Sequence, residues 1–255
     1  MTEFAVVTLD HRPDLIDSAD KLVSETGAWP EFMLHDAVAA KYFWRLYDTF
    51  PAYQLALLDD RGEIVGMGNT IPVTWDGSVA GLPDEGWDAI LERGITNHQS
   101  NIPPNCVAAI QAVVTPEYMG RGVSKQIIKA MRGLVVQLGL NQLIAPVRPN
   151  LKHVYPLTTM EHYIEWKHTD GSLFDPWLRT HVRMGARMLK VCPRSMTITG
   201  SVAAWEDWTD MRFPDSGLYI IRGALSPITI DREADKGTYI EPNVWMLHEI
   251  IGEVE

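Results

Sequence analysis

Residues 108–140, AAIQAVVTPEYMGRGVSKQIIKAMRGLVVQLGL, most constrain what this chain can become. The run 108–114 is apolar, small and β-branched, which reads as a buried strand, and Thr115-Pro116 ends it because proline offers no N–H to a further rung. From Val123 onward, Ile127, Met131, Leu134, Val135 and Leu138 recur at three- and four-residue spacing, one apolar face of a helix, with Gly139 where a C-terminal cap belongs. Between them lies Met119-Gly120-Arg121-Gly122-Val123-Ser124, a two-glycine turn that opens directly into the helix.

Such a turn can hold an anion, because glycines let the backbone approach closely and the first helical amides have no partner of their own. Arg121 and Lys125 sit at the positive end of the helix dipole, where a cation is disfavoured by about 0.3–1 kcal/mol unless an anion offsets it. A plain strand-to-helix connection with incidental surface cations remains the alternative on the turn alone. A phosphate loop would need Gly-Lys-Ser/Thr, and a dinucleotide fingerprint a third glycine and an acidic residue about twenty positions on. Asn141 and Gln142 occupy that distant region, so neither pattern fits.

What remains resembles motif A of the GNAT superfamily of N-acetyltransferases, Gln/Arg-x-x-Gly-x-Gly/Ala after a strand ending Val-x-Pro. The match runs over Val114-Thr115-Pro116 and residues 119–124; Met119 stands where Arg or Gln is usual, and Ser124 replaces the last small residue. The resemblance implies a mixed α/β sheet, splayed at its centre, flanked by helices and enlarged in its C-terminal half. It implies an acyl-coenzyme A co-substrate, acetyl-CoA or another, whose pyrophosphate rests on the turn amides. The cofactor-binding residues it implies are Ala112, Val113, Val114, Met119, Gly120, Arg121, Gly122, Val123, Ser124 and Lys125, with the Val113 and Val114 amides polarising the thioester carbonyl as an oxyanion hole does. A small-molecule amine would attack directly, without an acyl-enzyme. The segments 148–177 and 205–245 resemble those of a larger actinobacterial-type branch.

The chain's order agrees with that fold. A strand over 4–9, a helix over 13–24, an amphipathic segment over 36–47 and a hairpin of 52–58 with 64–74 precede the central strand. A polar segment, 76–104, reads as an insertion with a short helix near 88–93; after the central helix, 142–147 is a strand and 148–173 a second insertion with a helix over 158–166. Asp175-Pro176 opens a helix through Met184, Asp as cap and Pro at the first position, which gives Asp175 a structural role. Strands near 195–199, 219–221, 228–231 and 239–246, with a helix bearing Trp205 and Trp208, form a C-terminal extension of a single 1–255 domain.

Aligning Gly185 with the family's helix-ending glycine puts His181 where a tyrosine often serves as general acid for the leaving thiolate; a capping or core histidine is the alternative. Tyr155 is the other candidate donor, with an aromatic packing residue as its alternative, and Glu161 or Glu241 could deprotonate the amine through water. Trp29, Trp75 and Trp166 would suit a large apolar group. His162 and His168 lack metal-ligand spacing, and no serine-hydrolase elbow occurs. Cys106 and Cys192 suit reduced buried thiols better than a disulfide framework. The net charge of -11 argues against a nucleic-acid surface; it would suit a cationic acceptor such as an amine, and acidity that simply keeps a protein soluble is the alternative. No apolar run of about 18 residues or secretory leader is present, so the expectation is a soluble cytoplasmic enzyme. A non-catalytic acyl-CoA sensor, and an enzyme of this fold using a carrier-protein thioester or decarboxylating one, stay open, as do homodimerisation, acceptor identity and acyl length.

Overall fold

The computed structural model describes residues 4–25, 27 and 29–250. In chain order its elements are β1 (Ala5–Thr8), α1 (Ile16–Glu25), α2 (Ala37–Tyr42), α3 (Arg45–Asp48), β2 (Gln54–Leu58), β3 (Ile64–Val73), α4 (Gly86–Gln99), β4 (Cys106–Val114), α5 (Val123–Gln137), β5 (Gln142–Val147), α6 (Met160–Tyr163), α7 (Pro176–Arg183), β6 (Arg187–Gly200), α8 (Val202–Thr209), β7 (Gly217–Tyr219), β8 (Ile228–Asp231) and β9 (Lys236–Glu249). The strands form one mixed sheet in the order β1-β2-β3-β4-β5-β9-β8-β7, with β6 along β9. Every neighbouring pair is antiparallel except β4 and β5.

The helix α5 covers one face. Its apolar stripe, Val123, Ile127, Met131, Leu134 and Val135, packs on Leu55, Leu57, Val65, Val107 and Leu143. It lies close because β3 carries glycine beneath it: a Cβ on Gly68 would stand 2.8 Å from Ile127 and 2.9 Å from Met131. The opposite face buries a larger cluster, including Ile71, Ile90, Leu91, Ile95, Trp205, Tyr239 and Trp245.

Several element lengths differ from the sequence reading. The helix expected near 88–93 is the longer α4, whose Trp87, Ile90, Leu91 and Ile95 are buried, so that part of the 76–104 segment is core. The segment 36–47 is two short helices. The helix expected over 158–166 is the single turn α6, capped by Thr159. Asp175 behaves as read: Oδ1 accepts from the amides of Trp177 and Leu178, and Oδ2 from the Leu151 amide and the Tyr163 hydroxyl. Both cysteines are buried and unbridged, and burial pushes each thiol up to about 12.

Candidate active site

The parallel pair β4 and β5 is hydrogen-bonded only at Val107↔Leu143 and Ala108↔Ile144, then diverges. The rest of β4 stays paired to β3 on its other edge, down to Gly66↔Val114. Since an unpaired strand edge presents alternate N–H and C=O groups, 109–114 offers a row of free backbone groups to the cleft. Which amides face it follows from Thr115, whose N–H donates to the Val65 carbonyl on β3 at 3.0 Å. Successive amides point to opposite edges, so Val113 turns toward β3, while Ala112 and Val114 turn into the cleft. Of the two amides expected to polarise a carbonyl, the geometry leaves Val114 for that work.

A bulge aims this edge. The register steps from Asn69↔Gln111 to Thr70↔Ala109, leaving Ile110 without a partner on β3. The Trp87 indole N–H, from α4, donates to the Ile110 carbonyl at 2.8 Å and satisfies it. Replacing Trp87 with Phe is expected to destabilise the fold by about 1–3 kcal/mol, the cost of orphaning a buried acceptor, as read by urea unfolding.

The strand ends at the glycine turn. Gly120 and Gly122 take φ of 75° and 81°, the left-handed region, and Gly122 caps α5. The first helical bonds are those of Lys125 and Gln126 to the Gly122 carbonyl, so the Val123 and Ser124 amides precede them and have no intrahelical acceptor. A Cβ built at Gly120 or Gly122 would meet nothing within 4 Å, so the cradle is open. A diphosphate fits such a cradle, because the donors are fixed and nothing fills the space in front of them.

Cleft and turn share one cavity of about 850 Å³. Its wall includes nine of the ten residues expected to bind the cofactor: Ala112, Val113, Val114, Met119, Gly120, Gly122, Val123, Ser124 and Lys125. Arg121 is the exception, its guanidinium lying 5.1 Å from the Tyr118 ring centroid. The far end is built by Trp29, Phe43, Trp87, Gln111, Arg148, Glu241 and Asn243. There Glu241 accepts from Arg148 Nε at 3.0 Å, Tyr239 at 3.0 Å and Asn243 Nδ2 at 3.1 Å, while Arg148 also donates to the Gly223 carbonyl at 2.6 Å.

His181 reaches the wall from α7. Its Nδ1 lies 3.0 Å from Nε2 of His248 on β9, and its own Nε2 has no partner among the described residues. Burial drops His181 to about 3 and His248 to about 4, so both rings are neutral at pH 7. His181 is therefore a neutral hydrogen-bonding group there, not a stored proton. Tyr155 stands away from the cavity, packed edge-on against Trp166 and Phe174. Glu161 is exposed on α6, and of the three tryptophans considered only Trp29 lines the cavity, Trp75 being buried with its indole N–H on the Ser78 carbonyl. Gln111, in the cavity wall, and His248, which meets His181, carried no sequence signal, and His248 reaches that contact only because the fold sets β9 beside α7.

A mixed sheet split beside its central strand, with an anion-cradling turn at the mouth of the split, defines a class of protein that lays a long, anion-tipped ligand along an open strand edge. No family model matches the chain. The arginine N-acetyltransferase avaD of Aspergillus versicolor is 32% identical over 97% of this chain and 94% of its own length. The loading GNATL domain of CurA from Lyngbya majuscula shares the fold at a TM-score of 0.62 and 17% identity, covering 98% of each chain. The GphF GNAT-like decarboxylase, solved in complex with isobutyryl-CoA, does so at 0.57 and 14%, covering 97% of this chain and 100% of its own. The chain belongs to the GNAT superfamily.

Proposed function

We propose that this protein is an acyl-CoA-dependent N-acyltransferase that passes an acetyl or other acyl group to the amine of a small molecule. One observation carries the reading: a single cavity joins the amide-lined turn and strand edge to a separate aromatic and polar end, so donor and acceptor can meet inside it. The turn amides of Gly122, Val123 and Ser124 would hold the pyrophosphate, and the Ala112 and Val114 amides the pantetheine arm and thioester carbonyl. The amine attacks that carbonyl, the C–S bond breaks, and the amine's proton ends on the departing thiolate. The neutral His181 would contribute a hydrogen bond at Nε2. The kinship with an enzyme named for arginine supports an amine acceptor. The net charge of -11 supports a small-molecule substrate over nucleic acid. The two reduced, buried thiols support a cytosolic setting.

Calorimetric titration with acetyl-CoA and CoA, followed by mass spectrometry of an amine panel that includes arginine, tests the proposal. Micromolar binding and an N-acylated product are expected. Binding without any acylated product would make the protein a sensor, and loss of CO₂ from a carboxyacyl-CoA would make it a decarboxylase.

A further inference from the structure

Among the described residues of the cavity wall, two buried side-chain atoms have no hydrogen-bond partner, Nε2 of His181 and Oε1 of Gln111. They stand on opposite faces of the sheet. Leu178, one turn before His181 on α7, packs with Ala145 and Val147 of β5, which share a face with Leu143 beneath α5. Gln111 faces the other way: Val113, two residues on, packs with Met67 and Tyr47, while Ala112 and Val114 pack with α5. Phe43 and Trp87 wall the cavity on Gln111's side. The glycine turn opens into α5, so a cofactor held there would bring its sulfur up beside His181 and leave the opposite face of the thioester carbonyl to Gln111. The Ala112 amide, which turns into the cleft, belongs to the peptide unit that Gln111 itself begins.

No polar contact holds the Gln111 carboxamide: neither Oε1 nor Nε2 makes a hydrogen bond among the described residues. The last torsion of a glutamine is broad and two-fold, so the two ends exchange at little cost when no bond is broken. Directly across the β3 and β4 ladder stands Asn69, 0% exposed, which gives Nδ2 to Gln54 Oε1 at 3.1 Å and leaves Oδ1 without a partner. Opposed residues of antiparallel strands share a face with Cβ atoms about 4.5–5.5 Å apart, within a glutamine's reach. A buried acceptor left unsatisfied is costly, which favours Nε2 turned to Asn69 and Oε1 turned to the cavity.

Resting on the acyltransferase reading, we propose that Gln111 is the group that receives the acceptor amine: Nε2 donates to Asn69 Oδ1, and Oε1 accepts an N–H of the amine while its lone pair faces the thioester carbon. In the step itself the N–C bond forms, the C–S bond breaks and the proton passes from nitrogen to the thiolate; Gln111 takes no proton. Its contribution grows along the way. The attacking nitrogen gains positive charge, and a hydrogen bond from a charged donor is roughly twice as strong as a neutral one. An interaction that strengthens toward the transition state shows in kcat more than in KM.

The test is steady-state kinetics with acetyl-CoA and each of arginine, pentylamine and phenethylamine. It compares wild type with Gln111→Met, which keeps the size without the polar atoms, and Gln111→Glu, which keeps an oxygen without the N–H. Calorimetric titration with acetyl-CoA, expected to give all three proteins the same affinity within about two-fold, shows that each is folded. Gln111→Met should lower kcat by at least about thirty-fold with every amine that wild type accepts, while KM for the amine changes less than about three-fold. Gln111→Glu should recover at least about ten-fold of that loss, since the oxygen is what the amine uses. A methionine variant within about three-fold of wild type in kcat overturns the proposal, as does a loss that appears in KM alone or one that glutamate does not recover. Wild type that binds acetyl-CoA and acylates no amine sinks the acyltransferase reading instead, and the proposal with it, before either variant is compared.

Discussion

Gly122→Trp is expected to abolish measurable acyl-CoA binding, a loss of at least a hundred-fold, while the protein remains folded. Two effects act together. At φ of 81° an L side chain costs about 1–2 kcal/mol of backbone strain. The space in front of the glycine, where a Cβ meets nothing within 4 Å, is also the space a diphosphate needs to reach the Val123 and Ser124 amides. Free protein has room for the indole; bound protein does not. Strain is separated from obstruction by Gly139→Trp, at the other end of α5, where φ is 68° and a Cβ likewise meets nothing within 4 Å. Both variants should lose similar stability in urea, and only the first should lose binding in calorimetry. Equal binding by both would place the pyrophosphate elsewhere.

What the sequence disclosed was local. The β4 strand, the turn and α5 follow one another along the chain, so apolar run, paired glycines and helical spacing all report on the same few residues. The Asp175-Pro176 start of α7 is legible for the same reason. Long antiparallel pairing is not: β6 and β9 are strands of 14 residues paired with each other, yet register irregularities between Cys192 and Met196 interrupt the alternation, so only fragments were visible. The reading of 76–104 as a polar insertion with a short helix near 88–93 found α4 but not its length or its burial, because its buried residues, Trp87, Ile90, Leu91 and Ile95, are interleaved with Asp88, Glu92, Arg93 and Asn97. Of the far end of the cavity, only Glu241 and Trp29 were named from the sequence. Gln111, Arg148 and Glu241 lie on β4, after β5 and on β9, and only the fold makes them neighbours.

The paired imidazoles should set the acid limit of this protein. In the folded chain burial depresses His181 to about 3 and His248 to about 4, whereas in the unfolded chain each titrates near 6.5. Between those values the unfolded state binds more protons, so stability is present above pH 6.5 and is lost as pH falls below it. Each histidine contributes about 1.4 kcal/mol per pH unit, so the two together amount to roughly 5 kcal/mol at pH 4.5, as much as the whole stability of many domains. Asp88 works the other way: its acid form is favoured by folding, so its contribution fades as pH rises toward 8 and cannot produce the acid loss. Urea midpoints for wild type should fall steeply from pH 6.5 to 4.5. A His181→Gln, His248→Gln variant, which keeps polar groups at the 3.0 Å contact but has nothing to protonate, should start lower and hold its midpoint across the same range. If the variant's acid limb is as steep as that of wild type, the rings are charged in the native state, and His181 could then store a proton for the leaving thiolate after all.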